Sequence, residues 1–256
     1  METLFLDRRG APKLAYNRIP GTNPALPSVI FLGGFRSDRK GTKAMFLEES
    51  CRKRGQAYVR FDYSGHGDSG GRFEDGSIES WRDDASAILD RLTSGPVILI
   101  GSSMGGWIGL LLALARPDRV KGFIGIAAAP DFTRGMVEDR FDDTMRESFE
   151  SRGYADVPND YSPEPYRITK ELIESGNRVC LLDRTHSLAM PVRLLQGEMD
   201  AEVCWETAGR IQSCLTGAET RIYMVPDGDH SLSRPQDLDL LDRTLEEMNR
   251  IISGYT

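Results

Sequence analysis

Apolar residues in this chain follow two rhythms. Short runs rich in apolar residues at 28–32, 96–100, 120–129 and 191–197 read as strands of a buried sheet. Between them, apolar residues recur at helical spacing. Ala44, Met45, Leu47 and Cys51 predict a helix over 42–54, and Ile78, Trp81, Ala85, Ile88, Leu89 and Leu92 predict one over 78–93. Leu241, Leu245, Met248 and Ile252 mark a final helix from about 236 to 252. Further helices are predicted at 107–115 and 206–215, and further strands at 57–63 and 220–225. Residues 3–7 and 13–19, joined across Arg8-Arg9-Gly10-Ala11-Pro12, read as a hairpin.

Strands that alternate with helices imply an α/β fold. Its sheet is mostly parallel and eight-stranded, with helices on both faces and the antiparallel hairpin at one edge. The alternation fails from 131 to 185, where charges and aromatics mix and Pro158, Pro163 and Pro165 interrupt the chain. This stretch is expected to be a helical cap inserted above the strand C-termini, where open α/β sheets place their sites. Residues 1–256 are therefore expected to form one domain carrying that insertion.

Composition narrows the function. The net charge of −7 lacks the basic footprint that nucleic acid requires. The longest apolar runs fall short of a membrane span, and no basic-then-apolar secretory leader opens the chain, so the cytoplasm is the expected compartment. Cys51, Cys180, Cys204 and Cys214 are too widely spaced for a zinc site or a disulfide framework and read as reduced thiols. No metal-ligand motif stands out. The Gly-rich stretch at 65–71 lacks the Lys-Ser/Thr ending of a phosphate loop, so no cofactor is expected.

The chemistry is concentrated at Gly101-Ser102-Ser103-Met104-Gly105, set between a strand and a helix. A serine at such a sharp turn is presented as a nucleophile, with a strand in front and a helix behind. It needs a base, and the chain has three histidines. His66 precedes the serine and reads as loop scaffolding; His186 lies just before a strand, at the wrong end of the sheet. His230 follows the last strand and is the candidate base. Asp200, after the strand at 191–197, is the candidate acid that orients His230, with Asp131 as its rival. Two backbone N–H groups must face the developing oxyanion: Met104, after the nucleophile, and Phe35, in the Gly33-Gly34-Phe35 loop.

These residues resemble the serine-hydrolase branch of the α/β-hydrolase superfamily. More narrowly, the chain is similar to the mitochondrial-type palmitoyl-protein thioesterases and their bacterial relatives, a group that includes an esterase of drug acyl-glucuronides. The resemblance runs from about 28 to 253. It is strongest at Gly41-Thr42-Lys43-Ala44, Arg60-Phe61-Asp62-Tyr63-Ser64-Gly65, Gly101 to Trp107 and Asp229-His230. It implies Ser103 as nucleophile, Asp200 as acid and His230 as base. Gly33, Gln196 and Cys204 depart from the family's common residues, and the family's mitochondrial leader is not seen.

The expected substrate is a small-molecule ester or thioester, or an acylated protein. Met136, Phe141, Met145 and Phe149 recur at near-helical spacing in the cap and are candidates to receive an acyl chain, although such a stripe more often serves packing. Arg134 and Arg140 are candidates for an anion clamp. A carbon–carbon bond hydrolase or lyase uses the same triad, and a non-catalytic receptor can share the fold.

Overall fold

The strongest apolar run, Pro96 to Ile100, opens the central strand of the sheet. The computed structural model describes residues 2–159 and 163–254. Its elements, in order, are β1 (Leu4–Arg8), β2 (Ala11–Ile19), β3 (Ser28–Leu32), α1 (Thr42–Arg54), β4 (Tyr58–Phe61), a 3-10 turn (Phe73–Asp75), α2 (Ile78–Leu92), β5 (Val97–Ser102), α3 (Met104–Ala115) and β6 (Val120–Ile126). Then come α4 (Met136–Arg140), α5 (Asp143–Arg152), β7 (Tyr154–Val157), β8 (Tyr166–Thr169), α6 (Lys170–Arg178), β9 (His186–Ser187), β10 (Pro191–Gly197), α7 (Glu206–Cys214), β11 (Leu215–Thr216), β12 (Glu219–Val225) and α8 (Pro235–Ser253).

Eight strands form one sheet in the order β1-β2-β4-β3-β5-β6-β10-β12. The β1–β2 and β2–β4 pairs are antiparallel, and every other pair is parallel. The period-2 alternation of side chains along a strand divides the interior into two cores. Val29 and Phe31 of β3, Ile98 and Ile100 of β5, and Ile124 and Ile126 of β6 face Ala44, Leu47 and Cys51 of α1 and Leu241, Leu245 and Met248 of α8. Ile30, Leu32, Val97, Leu99 and Phe123 point the other way, toward Trp81, Ala85 and Ile88 of α2 and Trp107, Ile108 and Leu112 of α3. Because both faces are covered, these strands read as near-continuous apolar runs rather than as alternating ones.

Two expected strands end early, and one strand pair lies outside the expectation. The strand expected at 57–63 stops at Phe61, because the Asp62 carboxylate is drawn into a buried pair with Arg39. The strand expected at 120–129 stops at Ile126, where Ala127 turns to a positive φ of 45°. Between β6 and β10, α4, α5 and α6 share the insertion with the β7–β8 hairpin, a strand pair that the sequence pattern does not reveal. Of the expected cap, residues 160–162 lie outside the described residues.

The insertion is tied to the body below it. The indole of Trp107 on α3 donates to the Val179 carbonyl at 3.3 Å and stacks edge-on against Phe132, with centroids 5.6 Å apart. Among the described residues, no helix is long and apolar enough to cross a membrane.

Candidate active site

Between β5 and α3 the chain reverses within one residue. Ser103 sits there at φ 53° and ψ −120°, a conformation that costs an L-residue on the order of 1–3 kcal/mol. The neighbouring glycines make the reversal possible. A Cβ at Gly105 would lie 2.1 Å from the Leu32 carbonyl oxygen, and one at Gly101 would lie 2.2 Å from the Gly105 oxygen. Only hydrogen fits at either position. The turn is fastened by Ser103 N–H donating to the Ile126 carbonyl at 2.9 Å and by Ala129 N–H donating to the Ser103 carbonyl at 3.1 Å. The hydroxyl is thereby held out at the C-terminal edge of the sheet.

His230 arrives on the loop after β12. Its Nε2 lies 3.1 Å from Ser103 Oγ, and its Nδ1 lies 2.9 Å and 3.0 Å from the two oxygens of Asp200. Asp200 follows β10, and its side chain is fully buried. Burial alone raises a carboxyl's pKa, but hydrogen bonds from His230 and the Val203 N–H outweigh it and hold Asp200 below the ordinary carboxylate range. Glu202 N–H and Val203 N–H each donate to Oδ1 at 2.9 Å. Gln196 donates its amide to Oδ2 at 3.1 Å. The structure thus brings Ser103, His230 and Asp200 into one hydrogen-bonded chain.

The other carboxylates are engaged elsewhere. Asp131 accepts Leu181 N–H and Leu182 N–H, each at 2.8 Å, one on each oxygen. Asp229 accepts Leu232 N–H at 2.9 Å, and Asp227 pairs with Arg234. Both candidate clamp arginines are already paired, Arg134 with Asp183 and Arg140 with Glu202 at 3.6 Å. His186 sits in β9, its Nε2 2.9 Å from the Leu181 carbonyl.

Met104 opens α3, so its N–H belongs to the first turn, where helical amides lack intrahelical acceptors. Across from it runs the Gly33-Gly34-Phe35 loop. A Cβ at Gly34 would stand 3.4 Å from Ser103 Cβ, which measures how closely that backbone passes the nucleophile. The Phe35 ring is boxed edge-on by Phe73, Trp81, Phe132 and Tyr166, with centroids 5.0 to 6.0 Å away. His66 supports the next residue: its Nε2 accepts Arg36 N–H at 3.3 Å, and its Nδ1 lies 3.2 Å from the Ser64 carbonyl. Sequence reasoning assigns His66 to loop scaffolding but gives no sign that the loop it holds is the one beside Ser103. In the insertion, Phe141 and Phe149 are buried against each other, with centroids 5.4 Å apart. Met136 and Met145 are half-buried at the edge of that packing.

A mostly parallel sheet of this order, with a serine on a strained strand-to-helix turn, defines a hydrolase of the α/β type. A family model described as the alpha/beta hydrolase fold matches residues 27–211, and the chain belongs to that family. Among its relatives is the mitochondrial palmitoyl-protein thioesterase ABHD10 of Bos taurus, 36% identical over 247 residues, covering 95% of this chain and 79% of the relative. A putative hydrolase from Agrobacterium vitis superimposes with a TM-score of 0.91 at 37% identity, covering 97% of this chain and 98% of the other. Mouse α/β-hydrolase domain-containing protein 10 superimposes with a TM-score of 0.87 at 34% identity over 100% of each chain.

Proposed function

We propose that this chain cleaves thioester or carboxylic ester bonds through an acyl-enzyme on Ser103. The observation that carries the reading is the 3.1 Å approach of His230 Nε2 to Ser103 Oγ, with Asp200 behind the imidazole. Ser103 Oγ attacks the acyl carbon while its proton passes to His230 Nε2. The N–H groups of Met104 and Phe35 receive the oxyanion. His230 then returns the proton to the departing sulfur or oxygen, leaving the acyl group on Ser103. A water molecule gives its proton to His230 and attacks the acyl carbon. Collapse of the second tetrahedral intermediate releases the carboxylic acid while His230 returns the proton to Ser103 Oγ, restoring the free enzyme. Asp200 holds the tautomer with Nδ1–H facing it and stabilises the imidazolium that forms twice per cycle.

The relatives' name supports an acylated protein as a substrate, beside small esters and thioesters. Residues 131–185 act as the cap in this reading, and Met136 and Met145, at the margin of the buried Phe141–Phe149 pair, are the proposed acyl-chain contacts. No cofactor enters the cycle. The cytoplasm is the proposed compartment; recovery of the full chain with an organelle or envelope fraction of its own cells overturns that.

The test of the mechanism is Ser103→Ala, assayed with a p-nitrophenyl ester, a palmitoyl-peptide thioester and a fluorophosphonate probe. The wild-type chain should hydrolyse at least one of the two substrates and take the label. The variant should fold and do neither. Hydrolysis retained by Ser103→Ala sinks the acyl-enzyme mechanism.

A further inference from the structure

The Gly41-Thr42-Lys43-Ala44 stretch has no part in the triad or the oxyanion loop, yet its lysine reaches the site. Lys43 stands in the first turn of α1, where the positive end of the helix dipole disfavours a cation and no acidic residue offsets it. Its ammonium leaves the helix and donates to the Ser231 carbonyl, the peptide that follows His230, and lies 3.3 Å from Ser233 Oγ. Within the loop, Leu232 N–H turns back to Asp229 and Ser233 Oγ turns back to the Ser231 carbonyl. Among the described residues, the hydrogen bonds that reach 231–233 from outside the loop both come from Lys43.

The charges around it are defined. Asp229 and Asp237 attract the ammonium, and Asp237 is itself held by Arg234, which also pairs with Asp227. Desolvation exceeds that attraction and brings Lys43 down to about 8. The folded value lies below the unfolded one, so the unfolded chain holds the proton more tightly between pH 8 and 10.5. Folding stability therefore rises with pH through that window. Below it, the charged ammonium is kept at a cost to the fold, as expected of a group retained for function.

We propose that Lys43 is a positioning residue for His230: its charged ammonium pins the Ser231 peptide and so fixes the imidazole against Ser103. This rests on the serine-hydrolase reading above. As Lys43 loses its proton, the charge-assisted bond and the attraction to Asp229 and Asp237 weaken, and the loop gains freedom.

The experiment measures fluorophosphonate labelling and ester turnover from pH 6.5 to 9.5 for wild type, Lys43→Met and Lys43→Arg, with melting temperatures at pH 7.5. Lys43→Met should lose about tenfold or more in kcat with KM little changed, a modest share of what misplacing a catalytic group costs. Its melting temperature should not fall. Wild type should show an alkaline decline near pH 8 that moves upward in Lys43→Arg, whose guanidinium stays charged. Wild-type labelling rates in Lys43→Met overturn the proposal, as does an alkaline decline that Lys43→Arg leaves in place. If Lys43→Met does not fold, the Lys43→Arg profile decides alone. A wild-type chain that takes no label defeats the serine-hydrolase reading instead, so the two failures are distinguishable.

Discussion

His66 accepts the backbone N–H of Arg36 at 3.3 Å, and through that bond a buried imidazole holds the loop that passes beside Ser103. Arg36 has a left-handed φ of 59°, a conformation that a non-glycine residue keeps only when its surroundings hold it. His66→Leu keeps the bulk and removes the acceptor. We expect roughly 1 kcal/mol lost in urea unfolding and a fall in kcat of about tenfold, less than the loss of an oxyanion donor itself. His66→Gln, whose Oε1 is able to take the same N–H, should recover most of the rate. Full activity in His66→Leu would show that the Phe35 loop is fixed by its ring box alone.

The same imidazole gives stability a pH dependence. Desolvation, helped by the nearby Arg36 charge, lowers His66 to about 4, against a bond to the Ser64 carbonyl that favours the proton. The unfolded chain therefore takes up this proton at higher pH than the folded one. Stability from this group is fully present above pH 6.5 and is lost as pH falls toward 4. The loss amounts to roughly 3 kcal/mol at most. Urea unfolding at pH 7 and pH 4.5 should show a decline that is smaller in His66→Leu. Equal declines in the two proteins would remove His66 as its source.

Helices α1 and α8, and strands β3 and β10, are legible in the sequence because each carries a long helical period or a short apolar-rich run. The β7–β8 hairpin is not. It is four residues a side, follows a helix rich in charge, and buries Ala155 and Ile168 only by pairing across the insertion. Buried charge is equally hidden: Arg39, Asp62, Arg60 and Glu48 look like surface residues until the fold brings them together. At the site, Ser103, Asp200 and His230 are legible as candidates because chain order and strand ends restrict them. Lys43 and His66 are not, because each acts on a backbone group of another segment, and such a contact leaves no periodicity or spacing behind.

Replacing Ser103 by glycine separates the cost of the turn from the chemistry it serves. Glycine adopts φ 53°, ψ −120° without the steric penalty, though it also adds unfolded-state entropy. Ser103→Gly should be inactive and at least as stable as wild type. Gly105→Ala should do the opposite to the fold, because its methyl meets the Leu32 and Gly33 carbonyls at 2.1 and 2.5 Å, where backbone must move. We expect a loss of several kcal/mol, in line with small-to-large strain in packed interiors. Thermal unfolding of the two variants checks both directions, and a Gly105→Ala protein as stable as wild type contradicts the tight reversal described above.

Asp131 and Asp200 both follow sheet strands, and the fold gives them different work. Asp200 faces His230 Nδ1, whereas Asp131 has one oxygen on Leu181 N–H and the other on Leu182 N–H. Asp200→Asn should keep the packing but offer the imidazole an amide in place of a carboxylate, favouring the wrong tautomer. A loss of about 10³–10⁴ in kcat is expected, with KM little changed. Asp131→Asn turns an NH2 group toward a backbone N–H, leaving that buried donor without its acceptor at a cost of roughly 1–3 kcal/mol. Its kcat, measured well below its melting temperature, should stay within a few-fold of wild type. Stopped-time ester assays and urea unfolding on both variants give four readings. If Asp131→Asn loses activity as deeply as Asp200→Asn while remaining folded, the assignment of the acid to Asp200 fails.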